Sequence, residues 1–206
     1  RILNRPISLM ISKVLLKTGI TPNQISVLSF IVGLAGASLF FFGEYFYLIL
    51  GGIIVHIHSI VDGCDGEIAR LKLRRTKYGG YLDSFLDRYV DAVIILGLTY
   101  GYWSISGDST IWIMGFAALI GSFINTYTGE KYDSIFKIGN GTGRLKFRVG
   151  RDMRLLIIVV GALTNQIPIL LIIVAVLANF EAIRRLILFR NKLGNDMTDM
   201  HREFAN

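Results

Sequence analysis

All the lysines and arginines of this chain lie in alternate connections between its apolar stretches, and the intervening connections have none. The stretches run from Ile25 to Phe42, Phe46 to Val61, Tyr89 to Trp103, Ile111 to Thr126, Leu155 to Leu163 and Ile167 to Ile183. Cationic residues precede the first stretch, separate the second from the third and the fourth from the fifth, and follow the last. The turns around Gly43-Glu44-Tyr45, Ser106-Gly107-Asp108 and Thr164-Asn165-Gln166 carry none. Membrane proteins retain Lys and Arg on the cytoplasmic side during insertion. The pattern therefore predicts an all-α integral membrane protein of the cell membrane with six transmembrane helices, both termini and the charged loops facing the cytoplasm. A span takes about 20 residues, so the fifth stretch must extend past Arg151 or Gly161 to cross.

Composition agrees: 52% hydrophobic residues and a mean hydropathy of +0.53 exclude an ordinary soluble domain. A net charge of +7 and a pI near 9.6 describe a basic face suited to anionic lipid heads or phosphorylated substrates. No nucleic-acid partner is expected, because the cations spread along one membrane surface without a binding motif. The single Cys64 cannot form an intrachain disulfide.

The chain divides into a cytoplasmic interfacial helix (1–20), a six-helix domain (21–190) and a cytoplasmic tail (191–206). In the first, Ile7, Met10, Ile11 and Val14 form one helical stripe with Lys13 and Lys17 apart from it, as in a helix lying in the interface. Thr21-Pro22-Asn23 then reads as an N-cap followed by proline at the first helical position. Lys131 to Arg151, with Gly139, Gly141, Gly143 and Gly150, reads as a flexible polar connection. The chain begins Arg1-Ile2-Leu3-Asn4 without an initiator Met, so a piece of a longer protein is the expectation, with room for a further N-terminal domain.

The chemistry-bearing block runs from Asp62-Gly63-Cys64-Asp65-Gly66-Glu67-Ile68-Ala69-Arg70 to Gly79-Gly80-Tyr81-Leu82-Asp83-Ser84-Phe85-Leu86-Asp87. On helices, Asp62 and Asp65 share a face, and Gly79, Asp83 and Asp87 stack in a row. Two helices thus aim two carboxylates apiece at one another. A carboxylate at membrane depth costs roughly 2.5 to 3.5 kcal/mol to insert, so four call for compensating cations. All-oxygen ligation selects hard ions, Mg²⁺ or Mn²⁺, and two ions among four carboxylates leave positions open to phosphate. Gly66, Ala69 and Gly79 remove bulk where a ligand would approach. Asp91 falls outside the constellation and reads as a packing or hydrogen-bonding group. His56 and His58 read as satisfied core histidines, Cys64 as small packing, and Glu67 as a solvated acid or a second-layer partner of the ligands.

The pattern Asp62-x2-Asp65-Gly66-x2-Ala69-Arg70-x8-Gly79-x3-Asp83-x3-Asp87 resembles the complete signature of the CDP-alcohol phosphotransferase family, and with the six-helix plan the likeness covers nearly the whole chain. The resemblance implies a homodimer with a binuclear metal site in each monomer, open to the cytoplasm. It implies Asp62, Asp65, Asp83 and Asp87 as metal ligands, with Asp87 also the proton acceptor. Gly66, Arg70, Thr76, Gly79 and Asn23 would contact the CDP-alcohol donor. The reaction implied is transfer of a phosphoalcohol group to an acceptor hydroxyl with release of CMP. A cation transporter or a membrane prenyltransferase is the alternative for an intramembrane Asp cluster, though neither requires this spacing of glycines and arginine.

Lys131 and Arg151 stand where inositol-phosphate-using members carry phosphate-binding cations, and Arg190 or the Arg184/Arg185 pair would supply a third. Membrane anchoring explains basic residues at these places equally well.

Overall fold

In the computed structural model, residues 4–72, 76–135 and 150–204 are described, side chains from 7 to 190 within them. The described residues form seven α-helices: α1 (Asn4–Leu15), α2 (Pro22–Leu39), α3 (Tyr45–Leu71), α4 (Lys77–Ser106), α5 (Thr110–Ile135), α6 (Arg151–Leu163) and α7 (Ile167–Phe204). Most of the Gly-rich connection, 136–149, lies outside the described residues.

Among the described residues, four helices are long and apolar enough to cross a membrane: α2 with its 3₁₀ extension to Phe42, α3, α5, and α7 as far as Arg190. The two others assigned to spans do not meet that standard, for separate reasons. In α4, 30 residues long, the first half is occupied by Asp83, Asp87, Arg88 and Asp91. With only 13 residues, α6 rises about 20 Å.

Local signals start and stop these helices as their sequences dictate. Thr21 caps α2 in a reciprocal box: its hydroxyl accepts from the Gln24 amide, and Gln24 Oε1 accepts from the Thr21 amide at 2.9 Å. Gly43, at φ 72°, makes the left-handed turn that lets α3 reverse. Asp108 caps the start of α5, accepting from the Thr110 amide at 2.9 Å and hydroxyl at 2.7 Å.

Helix α2 packs against α3 and α4, α3 against α6, and α5 against α7. Their shared core includes Phe40, Val55, Ile94, Leu98, Ile158 and Leu171. Outward faces carry exposed apolar side chains such as Ile31, Phe116, Ile113 and Val176, as a lipid-facing surface does. The α3 C-terminus, the α4 N-terminus, the α5 C-terminus and the α6 N-terminus meet at one end of the bundle, and the charged residues gather there.

Helix α1 lies along α3. Ile7, Met10 and Val14 are exposed, whereas Ile11 and Leu15 turn inward onto Ile25, Cys64 and Ile68. What seats α1 is polar: Ser8 and Ser12 donate to Glu67 Oε1 and Oε2 at 2.9 and 2.8 Å. Glu67 is therefore neither solvated nor turned toward the other acids, but buried and clamped. Cys64 is fully buried packing, as expected.

Candidate active site

Helical spacing on α3 and α4 brings the four acids together in two pairs. Asp65 and Asp83 line one hollow together, and Asp65 accepts from the Ser26 hydroxyl of α2. Asp62 and Asp87 both meet Arg151 Nη1 at 2.8 Å.

Each pair opens onto its own hollow. The first, about 200 Å³, lies between α2, α3 and α4 and is lined by Asn23, Ser26, Asp65, Gly66, Thr76, Gly79 and Asp83 among others. One of its walls is tight: a Cβ on Gly79 would come within 2.9 Å of Asn23 Oδ1 and 3.0 Å of Thr76 Oγ1, so the Asn23 side chain would have to shift. At Gly66 packing demands nothing. A Cβ there would meet only Arg70 Nη1, at 3.9 Å, so the missing side chain leaves room in the hollow. Thr76 caps α4 by accepting from the Gly79 amide at 2.9 Å. Arg70 is exposed beside this hollow.

The second hollow is larger, about 440 Å³, and is lined by Asp62, Asp83 and Asp87 with Arg88, Arg151, Arg154 and Arg185. Arg151 spans it: besides Asp62 and Asp87, Nε reaches Asp91 Oδ1 at 3.1 Å and Nη2 meets His58 Nε2 at 2.7 Å. Arg154 pairs with Asp91 Oδ2 at 3.2 Å. Arg185 is held by Glu181 at 3.2 Å, by Thr128 Oγ1 at 3.2 Å and by the Asn125 carbonyl.

Asp83 lines both hollows, so the acids form a common wall. The wall suits divalent cations on two grounds. The donors are hard carboxylate oxygens, and a guanidinium bridging Asp62, Asp87 and Asp91 marks a position whose field demands positive charge. His58, Asp62 and Asp87 offer ligand atoms within 4.8 Å of one another. His58 Nδ1 donates to the Ser29 carbonyl at 2.8 Å, which leaves Nε2 as the acceptor facing the acids.

Of the residues expected at the site, Asn23, Gly66, Thr76 and Gly79 share the first hollow and Arg151 enters the second. Lys131 does not line the second hollow; its ammonium lies 5.9 Å from the Tyr127 ring centroid. Arg190 is exposed farther along α7 and does not line it either. Sequence reading missed His58, Arg88 and Arg154 as lining or ligand-bearing groups; Arg185, offered with Arg184 as the alternative to Arg190 for a third cation, does line the second hollow. Asp91 has the hydrogen-bonding role expected of it, supporting Arg151 and Arg154.

The family model for CDP-alcohol phosphatidyltransferase matches residues 19–179. The chain belongs to that family. It is 37% identical over 198 residues to a bifunctional IPC transferase and DIPP synthase of Aquifex aeolicus, an alignment covering 95% of this chain and 44% of that protein. The chain thus spans less than half the length of this bifunctional relative. To the archaetidylinositol phosphate synthase of Pyrococcus horikoshii it is 32% identical, over 85% of this chain and 86% of the other. Crystal structures of Mycobacterium tuberculosis phosphatidylinositol phosphate synthase superpose on it. The one with CDP-DAG bound has a TM-score of 0.71 and 25% identity, covering 88% of this chain and 92% of the other. The one in complex with manganese and citrate has a TM-score of 0.70 and 25% identity, covering 87% of each chain.

Proposed function

We propose that this chain transfers a phosphoalcohol group from a CDP-alcohol to the hydroxyl of a phosphorylated polyol of the inositol phosphate type, releasing CMP. The observation that carries the reading is the four-carboxylate wall between two hollows, one small-residue-lined and one arginine-lined. A transferase must hold two substrates on opposite sides of one phosphorus. The relatives named as inositol phosphate synthases, and the related structures with CDP-DAG and with manganese, support the same assignment.

In this reading the donor occupies the first hollow, with Gly66 and Gly79 admitting it and Asn23, Thr76 and Arg70 contacting it. Asp62, Asp65, Asp83 and Asp87 would hold two divalent ions, Mg²⁺ or Mn²⁺, which when bound neutralise the pyrophosphate and stabilise departing CMP. The acceptor enters the second hollow. Its hydroxyl attacks the donor phosphorus attached to the alcohol while its proton passes to Asp87, and the pyrophosphate bond to CMP breaks. Arg151 offers a forked contact to the acceptor phosphate, with Lys131 and Arg190 as outer cations.

All six apolar stretches cross the membrane in this reading, α4 and α6 included. The alternating charge pattern supports both termini and the active site facing the cytoplasm, and the chain works as a homodimer. A CMP-release assay on the reconstituted chain tests the proposal, with CDP-diacylglycerol or CDP-inositol as donor against inositol phosphate, inositol, glycerol and serine. Inositol phosphate is expected to be the preferred acceptor. Equal use of neutral and phosphorylated acceptors would reject the acceptor assignment, and no CMP with any pair would reject the reaction.

A further inference from the structure

We propose that Arg88 is a specificity-determining residue that grips the phosphate of the acceptor, an inference resting on the inositol-phosphate reading above. Its Nη1 is buried with no hydrogen-bond partner among the described residues, and its side chain lines the second hollow. A buried donor on a charged group is costly to leave unpaired, and proteins leave few such groups without a ligand or water to meet them.

The other arginines of the hollow are engaged. Arg151 bonds three carboxylates and His58, Arg154 bonds Asp91, and Arg185 bonds Glu181, Thr128 and the Asn125 carbonyl. Arg88 is held more loosely. Asp91 Oδ2 lies 3.9 Å from Nη1, beyond hydrogen-bond length, and Glu130 Oε1 lies 3.5 Å from Nη2, at its limit. These acids aim the guanidinium without exhausting it. Arg88 directly follows Asp87, and both line the same hollow. An acceptor whose hydroxyl meets Asp87 therefore has its anionic group in the compartment where Arg88 has a donor to spare.

Glu130 gives the proposal a second, opposite handle. It is exposed, lines the same hollow, and competes with an incoming phosphate for Arg88. Loss of its charge would free the guanidinium and remove a repulsive anion.

The test is calorimetric titration of the reconstituted full chain, loaded with Mg²⁺, with inositol phosphate and separately with inorganic phosphate, beside steady-state donor kinetics. Arg88→Gln is expected to weaken inositol phosphate binding at least tenfold, Arg88→Lys to recover part of it, and Glu130→Gln to tighten it at least threefold. Donor KM should stay within twofold throughout. Unchanged acceptor affinity in Arg88→Gln, or donor and acceptor affinity falling together, would overturn the assignment by leaving Arg88 a merely structural partner of Asp91. If Arg88→Gln fails to fold, Glu130→Gln decides: no tightening overturns the proposal. If the unmodified chain binds neither anion, the acceptor reading itself falls and takes this inference with it. Binding by the unmodified chain with no change in the variants rejects Arg88 alone.

Discussion

The two hollows share a wall and differ in almost everything else. The first is formed by three helices, lined by glycines, hydroxyls and an amide, with Asp65 bonded to Ser26 and Asp83 beside it in the lining. The second draws on α3 through α7 and is lined by arginines already engaged with carboxylates. One is a space made by leaving side chains out, and the other a charge lattice made by putting them in. Small-residue walls admit a bulky ligand against the backbone, whereas the lattice can rearrange around an anion only by giving up existing pairs.

The shared wall should be the most sensitive place. Asp62→Asn, Asp65→Asn and Asp83→Asn should each reduce transfer by about 10³-fold or more, since removal of a charge-stabilising group at the reacting centre commonly costs 10²–10³ and several cation contacts go at once. Chelation of divalent ions should do the same to the unmodified chain. Transfer that persists in chelator would remove the metal from the scheme.

Asp87 tests whether the wall has a division of labour. Asp87→Asn should lower turnover by about 10²–10⁴-fold while donor binding survives, as expected for a general base. Donor affinity falling in step with rate would make it a ligand only.

The hollows themselves should separate in KM. Gly66→Ala adds a methyl where only Arg70 Nη1 stands within 4 Å, so the protein should fold at least as stably, helix propensity favouring alanine by about 1 kcal/mol. Its donor KM should nonetheless rise about tenfold, with acceptor KM unaltered. Arg151→Ala should do the reverse, raising acceptor KM by about 10–10²-fold through loss of charge-assisted hydrogen bonds worth roughly 1.5–3 kcal/mol. If both variants raised both constants, the two hollows would be one site. The smallest effect is expected at Lys131→Ala, about threefold in acceptor KM, because its ammonium lies over Tyr127 and loses only screened, outer attraction.

The same contrast explains what the sequence made legible. Asp62, Asp65, Gly66, Gly79, Asp83 and Asp87 lie within two helical segments whose periodicity alone aligns them, so the wall and much of the first hollow could be read directly. The second hollow is assembled from segments far apart in sequence, and its arginines obey a topology rule that would place cations there with no ligand at all. Arg185 was therefore legible only as one alternative for a third cation, with anchoring explaining it equally well, and nothing in the sequence singled out Arg88 or Arg154. His58 was taken for core because its burial is real; its second nitrogen became visible only once α6 delivered Arg151 to it. Glu67, embedded in an acidic motif, offered no hint that its partners were two serines of α1. The charge pattern indicated spans more generously than the helices do, since α4 spends its first half on the site and α6 is short.

The serine–glutamate clamp also bears on how the chain is made. Ser8 and Ser12 meet Glu67 across 59 and 55 residues of sequence, so α1 has no polar partner when it leaves the ribosome. It must wait for that partner through the synthesis of α2 and most of α3. Only when the end of α3 emerges do the hydroxyls find their carboxylate, and the first helix synthesised is among the later ones to be locked. The same late event fixes the helix that carries Asp62 and Asp65, one step before α4 arrives to complete the acidic wall.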